Sequence, residues 1–552
     1  MCGIYGAVGW HPSVPRISRP FDQAALRHRG PDSSGFAAYS MGSLAAVLGV
    51  NRLAIVGGDV PAPLRLERYG VTVAFNGEIY NWRALRLELS DGHPWETECD
   101  TEVVGRAWRR WGPGMLDRFN GMFAIALVDL RTSSVFLARD RAGEKPLFYA
   151  VDGGVLYFAS EIKALPIPKV EVECPEVDVF EFDCLHSTPF KGVRRLGPGE
   201  YIHVQKPAPF PGCSQWWSLP DAIDESMTWA QAVDQTEAFL VDAIRLRAKA
   251  DVPTTVLVSG GLDSAIIQAV VKAPRVYCAT FPADWMDWMP QARLAAPGAE
   301  VVPVTFGLED ALSALPAVAY HLDTPATWTA LSQWFLAKRM AADGIRVVLT
   351  GDGADELFAG YSRYRAVWWA DQARRDPRLI GYEGIVELLT PGDDADLLAR
   401  LIDRSPGGHA RGHAEYLVRR FMEARMEGDL VADLCAIEWQ TTMQCLLRMA
   451  DRMTAAHSLE NRSPFFDHRL IELAARMPTC HKITKGESKA VLRAVARRLG
   501  VHADIIDEGQ KVGFVVPWNR WRKAQGERGA WDRADFAKAM TAAWRQAFHL
   551  SP

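Results

Sequence analysis

A glycine-rich segment in the second half of the chain has the composition of an anion-binding loop. Residues 259–264 read Ser-Gly-Gly-Leu-Asp-Ser, between an apolar run that predicts a strand and a second that predicts a helix. Glycines allow a sharp turn, and the following helix N terminus directs free N–H groups and the positive end of its dipole at an anion. The lysine of a GxxxxGK[ST] loop is missing, and Asp263 would repel a phosphate unless Mg²⁺ lay between them. The segment therefore predicts a pyrophosphate-binding loop that works with Mg²⁺; an ordinary βα turn is the alternative.

A second loop of this kind follows about ninety residues later. Residues 350–356 read Thr-Gly-Asp-Gly-Ala-Asp-Glu, again between a predicted strand and a predicted helix. The carboxyl ends of parallel strands meet in one crevice, so the two loops are expected to lie together. Three carboxylates there could ligate Mg²⁺ or act as a base, whereas the same loop on its own would be typical of a solvated acidic turn.

The first half offers one candidate nucleophile, Cys2. If Met1 is removed, the freed α-amine has an intrinsic pKa of about 7.7–8.0 and can take the thiol proton without a histidine. Many second residues are incidental, so this position is weak evidence by itself. The nine cysteines form no CxxC pair, which argues against a zinc site or a disulfide framework.

The elements that would hold these residues differ between the two halves. Short apolar runs at 71–75, 123–129 and 134–138, separated by turn residues such as Asn76-Gly77, predict a β-rich first half. From residue 228 the spacing predicts a helix to 249, and then strands alternate with helices. The predicted strands of this second half are 254–258, 276–281, 301–306 and 347–350. That alternation predicts a doubly wound parallel sheet, followed by a largely helical part.

Composition excludes several classes of protein. The 552 residues allow two to four domains of roughly 100–200 residues each. A formal charge of −5 argues against a protein that tracks nucleic-acid phosphates. No apolar run approaches the roughly 18 residues of a membrane span, and the start of the chain lacks the pattern of a secretory signal. We therefore expect a cytoplasmic protein that binds small molecules and neither nucleic acid nor membrane.

Short motifs carry a family resemblance. In the first half they are Cys2-Gly3-Ile4-Tyr5-Gly6, His28-Arg29-Gly30-Pro31-Asp32, Asn51-Arg52-Leu53-Ala54-Ile55, Phe75-Asn76-Gly77-Glu78-Ile79-Tyr80-Asn81, Cys99-Asp100-Thr101-Glu102 and Arg139-Asp140-Arg141. In the second half they are residues 259–264, residues 351–361, Ser458-Leu459-Glu460-Asn461-Arg462-Ser463-Pro464-Phe465-Phe466-Asp467 and Lys511-Val512-Gly513-Phe514. The first set resembles class II glutamine amidotransferase domains, and the second resembles the synthetase domain of glutamine-hydrolysing asparagine synthetases.

The resemblance implies a fold and a domain plan. It implies an α+β N-terminal-nucleophile domain, an αββα sandwich, followed by an α/β parallel-sheet ATP-pyrophosphatase domain with a largely helical C-terminal part. We expect the glutaminase domain at residues 1–208, a linker at 209–227 and the synthetase domain at 228–552. Relatives of this kind are often dimers, so a homodimer is a further expectation.

The resemblance also implies roles for first-half residues. Cys2 would attack the glutamine amide and form a thioester, releasing ammonia. The side-chain amide of Asn76 and the N–H of Gly77 would form the oxyanion hole. The glutamine-binding residues implied by the resemblance are Arg52 for the α-carboxylate, Glu78 and Asp100 for the α-ammonium, and Ile55, Val56, Asn76 and Gly77.

In the second half the resemblance implies ATP and Mg²⁺ as cofactors. A carboxylate would be activated as an acyl-adenylate with release of pyrophosphate, and ammonia would then displace AMP, reaching the site through a dry internal passage. The implied ATP-binding residues are Leu257, Ser259, Gly260, Gly261, Asp263, Ser264, Phe281, Thr350, Gly351, Lys489 and Lys511. Asp263 and Asp355 would hold the metal, Asp352 would deprotonate the ammonia, and Lys511 would neutralise charge near the phosphates.

One position departs from the pattern and leaves the acceptor open. Many asparagine synthetases carry Glu where this chain has Asp352, which is one methylene shorter. Aspartate is the default acceptor, and a different carboxylic acid of a natural-product or polysaccharide pathway, possibly carrier-bound, is the alternative. A non-catalytic regulator of the same fold is a further alternative, but it would be expected to lack Cys2, Arg52 or Asp263, and all three are present.

Overall fold

The structure is a computed structural model that describes most of the chain. The described residues are 2–10, 21–58, 60–171, 186–205, 210, 212–281, 287–324, 329–361, 364–365, 367–368, 429–507, 516–517, 520–521 and 533–550.

The described residues of the first half form twelve strands. They are β1 (Gly3–Trp10), β2 (Ser33–Met41), β3 (Leu44–Arg52), β4 (Leu64–Leu66), β5 (Val71–Ile79), β6 (Gly121–Asp129), β7 (Ser134–Arg139), β8 (Phe148–Asp152), β9 (Val155–Ala159), β10 (Val193–Arg195), β11 (Glu200–Val204) and β12 (Ser214–Gln215). They form two six-stranded antiparallel sheets, ordered β10-β8-β9-β1-β3-β2 and β12-β11-β7-β6-β5-β4. The helices of this half are α1 (Trp82–Glu88), α2 (Asp100–Trp111) and α3 (Met115–Arg118).

The two sheets pack face to face because their strands alternate between two apolar faces. In β1, Ile4 and Val8 face a shared core with Ala126 of the other sheet. Tyr5 and Ala7 point the opposite way. Helix α2 covers the outer face of the second sheet through a separate apolar cluster.

The outer face of the first sheet is covered partly by helices of the second half. Tyr5 and Tyr157 share an apolar cluster with Leu315, Val318 and Trp544, which lie far later in the chain. The αββα arrangement is thereby completed across the junction of the two halves, and the predicted fold class is confirmed.

One predicted turn is wrong. Asn76 and Gly77 lie inside β5, paired with Ala124 and Phe123 of β6, and not between two strands. Position 77 of this strand requires glycine. Its φ is +150°, and a Cβ there would lie 2.0 Å from the Met122 carbonyl oxygen.

The second half contains the predicted parallel sheet. Its strands are β13 (Thr254–Leu257), β14 (Arg275–Ala279), β15 (Glu300–Val304), β16 (Val347–Leu349) and β17 (Glu460–Arg462). The sheet order is β15-β14-β13-β16-β17, and every pair is parallel. The first four strands overlap the four runs that the sequence predicted, whereas β17 was not predicted as a strand.

Helices flank this sheet and form most of the remaining described residues. They are α4 (Trp229–Arg247), α5 (Leu262–Val271), α6 (Met289–Ala295), α7 (Leu308–Leu322), α8 (Thr329–Ala342), α9 (Ala354–Leu357), α10 (Leu430–Gln440), α11 (Thr442–Ala455), α12 (His468–Arg476), α13 (Thr479–Lys482), α14 (Ala490–Arg498), α15 (Ala503–Asp507) and α16 (Arg533–Ala547). Helix α4 begins as predicted, because Thr228 and Gln231 form a reciprocal capping box there.

The residues that lead into β13 and β16, at the amino-terminal end of the parallel sheet, contact the first half. Just before β13, Asp251 donates its N–H to the Ile55 carbonyl and accepts from the Gly57 N–H, both at 3.0 Å. Just before β16, Arg346 donates to Asp32 at 3.0 Å. The carboxyl ends of β13 and β16 lead into the two glycine-rich loops, so the sheet separates two places where chemistry could occur.

Candidate active sites

A pocket in the first half brings together most of the predicted glutamine-binding residues. Its lining includes Cys2, Arg52, Ile55, Val56, Gly77, Glu78 and Asp100. These residues come from the position before β1, the end of β3 and the loop after it, the end of β5 and the first turn of α2.

Asn76 lies directly beside the candidate nucleophile. Its Oδ1 accepts a hydrogen bond from the Cys2 backbone nitrogen at 2.9 Å. Its Nδ2 is buried and has no acceptor among the described residues. A buried donor without an acceptor costs folding free energy. Here the Nδ2 group is available to donate to a substrate oxygen on which negative charge develops.

Two carboxyl groups form the acidic end of this pocket, those of Glu78 and Asp100, and both have raised pKa values. Burial raises the pKa of Asp100 to about 6, although the Ile79 N–H donates to its Oδ2 at 2.9 Å. Burial and the neighbouring Asp100 charge raise the pKa of Glu78 above its usual range. Burial also raises the pKa of the Cys2 thiol, and the nearby Arg52 guanidinium opposes that shift. The thiol therefore needs a base in order to act as a nucleophile.

Arg52 also lines the pocket and is held in place by the chain that follows it. Its Nη2 donates to the Val56 carbonyl at 3.3 Å, which ties the arginine to the loop that follows β3. The same loop is bonded to Asp251 of the second half through Ile55 and Gly57. A planar guanidinium so placed is suited to a carboxylate.

One charged residue of this pocket was not predicted from the sequence. Glu460, from β17 in the second half, also lines it. The residue lies in a recognised motif, but nothing in a linear motif indicates which face of its strand meets the other half.

The two glycine-rich loops meet at the other end of the parallel sheet. Gly260 has a φ of +77°, in the left-handed region that favours glycine. The Ser264 hydroxyl lies 3.3 Å from the Ser259 nitrogen and 3.1 Å from the Gly261 carbonyl, which closes the first loop on itself. A Cβ on Gly351 would lie 2.8 Å from the Asp263 Cβ, so this glycine permits the two loops to touch.

Lys489 joins the two predicted metal ligands. Its ammonium lies 2.6 Å from Asp263 Oδ2 and 2.8 Å from Asp355 Oδ1. Burial would lower the pKa of Lys489, but the two carboxylates outweigh burial and raise it. A Cβ on Gly360 would meet both Asp355 and Lys489, so glycine leaves space for this pair. One cation can therefore be shared by Asp263 and Asp355, which is the donor set that Mg²⁺ prefers.

Asp352 lies in a small hydrogen-bonded network. The Thr350 hydroxyl is 2.7 Å from its Oδ2, and Asn461 Nδ2 donates to the same oxygen at 3.3 Å. The Ser463 hydroxyl donates to its backbone carbonyl at 2.6 Å. Burial raises the pKa of Asp352, and the charges of Asp263 and Asp355 add to that shift. A carboxylate with a raised pKa is better suited to accept a proton.

The other predicted nucleotide-binding residues lie in different parts of the second half. Leu257 ends β13, and Thr350 and Gly351 directly follow β16, at the carboxyl edge of the sheet. Phe281 is 3% exposed and packs edge-to-face on Phe306 at 5.0 Å, inside an aromatic cluster. Lys511 and its motif lie outside the described residues.

A third group of potential metal ligands comprises His28, Glu161 and His321. Glu161 already forms ion pairs with Arg29 and Arg452, at 2.7 and 2.6 Å, and these cations surround the group. The positive surroundings disfavour a metal ion, and we assign no site there. Among the described residues, no helix has the length and apolarity needed to span a membrane.

The sequence matches two family models that together span most of the chain. The glutamine amidotransferase domain matches residues 1–217, and asparagine synthase matches residues 235–542.

Individual relatives agree with these matches. A putative glutamine-hydrolysing asparagine synthetase of Mycobacterium tuberculosis is 31% identical over 92% of this chain and 85% of its own length. Glutamine-hydrolysing asparagine synthetase 1 of Bacillus subtilis is 28% identical over 99% and 91%. Asparagine synthetase B of Escherichia coli is 31% identical over 65% of each chain.

Among solved structures, a glutamine phosphoribosylpyrophosphate amidotransferase of B. subtilis aligns with 55% of this chain and 81% of its own. Its identity is 15% and its TM-score 0.31. The synthase model alone covers more than half of the residues, and the first relative spans nearly the whole chain. The chain therefore belongs to the glutamine-hydrolysing asparagine synthetase family of ligases.

Proposed function

We propose that this protein hydrolyses glutamine at Cys2 and uses the ammonia to amidate a carboxylic acid that it activates with ATP, with L-aspartate as the acceptor and asparagine as the product. The observation that carries the proposal is the pair of sites in one chain. Cys2 lies beside the unsatisfied Asn76 amide, and Asp263 and Asp355 converge on one cation at the far end of the parallel sheet.

The first half-reaction uses groups that are already in contact. After removal of Met1, the α-amine of Cys2 takes the thiol proton, and the thiolate attacks the glutamine amide carbon. Asn76 Nδ2 and the Gly77 N–H donate to the oxygen on which negative charge develops. One donor of this kind contributes roughly 10²–10³-fold to the rate. Arg52 binds the α-carboxylate, and Asp100 with Glu78 binds the α-ammonium.

The second half-reaction takes place where the two glycine-rich loops meet. The loop at 259–264 and the N terminus of α5 bind the pyrophosphate end of ATP. Asp263 and Asp355 would hold Mg²⁺, which supplies positive charge to the phosphates when it is bound. Lys489 stabilises the two carboxylates beforehand and then neutralises phosphate charge, and Lys511 is proposed to assist it.

Asp352 is proposed to accept the proton of the attacking ammonia. Its raised pKa favours that role, and Asn461 and Thr350 hold the carboxylate in one orientation.

A second candidate acceptor is a carboxylic acid other than aspartate. The observation that favours it is the shorter side chain at Asp352, fixed by Asn461, since a displacement of roughly 1 Å can cost about 10²-fold in rate. Asp352 would then be placed for an acceptor whose activated carboxyl group lies in a different position from that of aspartate.

The test is acceptor-dependent pyrophosphate release with glutamine, Mg-ATP and aspartate, followed by mass spectrometry of the product. We expect AMP, pyrophosphate, glutamate and asparagine in equal amounts. Glutamine hydrolysis without aspartate-dependent pyrophosphate release would refute aspartate as the acceptor. Panels of other free and carrier-bound carboxylates would then identify the substrate.

The domain plan of 1–208, 209–227 and 228–552 is proposed with this function. The capping box at Thr228 supports the start of the synthetase domain. Strand β12, within 209–227, pairs with β11 and so ties that segment to the glutaminase sheet. A cytoplasmic location, a homodimer and the lack of nucleic-acid or membrane partners stay predictions.

A further inference from the structure

Strand β17, in the synthetase half, contributes the Glu460 side chain to the glutamine pocket and places Arg462 beside it. Glu460 lines the pocket and is 2% exposed. Arg462 is fully buried, and its Nη2 lies 3.2 Å from Glu78 Oε2 while its Nε donates to Glu460 Oε1 at 2.7 Å. The arginine therefore links a carboxylate of each half.

The position of Arg462 is fixed by further bonds within its own half. Its Nη1 donates to the Arg247 carbonyl at 2.9 Å and to the Lys249 carbonyl at 2.7 Å. These carbonyls belong to the C-terminal end of α4 and the residues after it, where a cation is favourable. Glu78 is thus paired with an arginine that the synthetase half holds rigidly.

The middle residue of the strand faces the other site. Side chains alternate along a strand, so Asn461 points away from Glu460 and Arg462. It donates to Asp352 Oδ2 at 3.3 Å and accepts from the Thr350 hydroxyl at 3.0 Å. A three-residue strand consequently touches both candidate active sites.

The acidic end of the glutamine pocket holds more negative charge than the first half alone provides. The charged groups that lie near Cys2 and this pocket include Arg29, Arg52, Glu78, Asp100, Lys145, Glu460 and Arg462. The three carboxylates are opposed there by Arg462, by Lys145 near Glu460 and, on the proposed roles, by the substrate ammonium. Without Arg462, Glu78 would be a buried carboxylate that has lost its cationic partner.

We propose that Glu460 and Arg462 are positioning residues for glutamine hydrolysis, supplied by the synthetase half. Arg462 fixes the Glu78 carboxylate toward the substrate ammonium, and Glu460 adds its charge to the same side of the pocket. The assignment rests on the proposed function, because it requires that glutamine occupies this pocket. It implies that the glutamine site is complete only when β17 is docked against the first half.

The test is the Glu460→Gln variant in the full chain, which keeps the shape of the side chain and removes its charge. We expect kcat/KM for glutamine to fall roughly 10- to 100-fold, mainly through KM, as for loss of a charged contact. Ammonia-dependent amidation should stay within about twofold of the unaltered protein.

A second readout separates charge from structure. The Glu460 carboxylate contributes to the raised pKa of the Cys2 thiol, with burial as the larger cause. In Glu460→Gln the pH midpoint for alkylation of Cys2 by iodoacetamide, followed by peptide mass spectrometry, should therefore move to lower pH. The control is Glu300→Gln, which removes an Arg275 ion pair of the same 2.7 Å length at the exposed far edge of the sheet. This control should change neither readout.

Two results would overturn the proposal. One is a Glu460→Gln variant whose glutamine kcat/KM and Cys2 alkylation profile match the unaltered protein. The other is equal loss of the glutamine-dependent and ammonia-dependent activities, in Glu460→Gln and also in Arg462→Lys, which would indicate a purely structural role. If the unaltered protein releases no glutamate from glutamine, the proposed function fails as well, and the two failures are thus distinguished.

Discussion

The glutamine pocket and the nucleotide site differ in how their polar groups are satisfied before a substrate binds. In the pocket, the buried Asn76 Nδ2 has no acceptor among the described residues. In the nucleotide site, the Asp263 and Asp355 carboxylates share the Lys489 ammonium within 2.8 Å. The Asn76 donor is free for an oxyanion that forms only during the reaction. The Asp263 and Asp355 carboxylates, in contrast, must replace the Lys489 ammonium with Mg²⁺ when the nucleotide binds.

This difference follows from the chemistry proposed for each site. An oxyanion is transient, so its donors are most effective when they are fixed and otherwise unbonded. Phosphates and Mg²⁺ are charged before they bind, and a cluster of bare carboxylates would be costly to bury without a cation. Lys489 meets that requirement in the free protein.

Loss of the nucleophile is the largest change we expect. Cys2→Ala should lower glutamine-dependent amidation by at least about 10⁴-fold, because the proposed thioester forms on the Cys2 thiol. Amidation with added ammonia should persist at its original rate, measured as product and pyrophosphate. Loss of both activities would contradict the separation of the two sites.

Loss of a shared carboxylate is expected to be nearly as large, but at the other site. Asp263→Asn removes one of the two charges around Lys489 and should reduce pyrophosphate release by roughly 10³-fold, since metal-assisted charge stabilisation is worth several kcal/mol. Glutamate release from glutamine should remain, with Glu300→Gln as the matched surface control. ATP turnover that survives the substitution would rule out the proposed metal role.

Removal of one fixed donor should have an intermediate effect. Asn76→Ala is expected to reduce kcat of glutamine hydrolysis by roughly 10²–10³-fold, with little change in KM, because Nδ2 acts on the transition state. Ammonia-dependent synthesis is the internal control. A rise in KM alone would show that Asn76 binds glutamine in its ground state instead.

The smallest expected effect is a pH dependence. Asp100 in the free protein has a pKa raised to about 6, so it gains a proton and loses its charge as the pH falls through that value. The kcat/KM for glutamine should therefore decrease below about pH 6, at most tenfold per pH unit. Ammonia-dependent synthesis at constant free ammonia should lack this limb. In Asp100→Asn the component near pH 6 should disappear, and only the titrations of Glu78 and the Cys2 α-amine should remain. A component near pH 6 that persists in Asp100→Asn would assign it to another group.

Much of the fold could be predicted from periodicity and turn chemistry. The apolar runs at 254–258 and 347–350 became β13 and β16 because buried parallel strands are continuously apolar. Strand β17 reads Glu-Asn-Arg, and no periodicity rule identifies such a strand. Asn76-Gly77 was mistaken for a turn because the local preference of that pair is overridden by its pairing with β6.

The candidate sites were likewise predicted only in part from the sequence. Cys2, Arg52 and Asp263 were predicted because short motifs carry them. The sharing of Lys489 by Asp263 and Asp355, and the presence of Glu460 in the glutamine pocket, depend on contacts between residues more than a hundred positions apart. Such contacts are set by the docking of elements and leave no local pattern in one sequence.

The most direct test of the two-site account is an isotope experiment. Glutamine labelled with ¹⁵N at its amide would be supplied with Mg-ATP, aspartate and unlabelled ammonium, and the product would be analysed by mass spectrometry beside pyrophosphate release. The account predicts ¹⁵N-labelled asparagine from the unaltered protein and only unlabelled asparagine from Cys2→Ala, with pyrophosphate released in both. Unlabelled product from the unaltered protein, or pyrophosphate release that does not depend on aspartate, would contradict it.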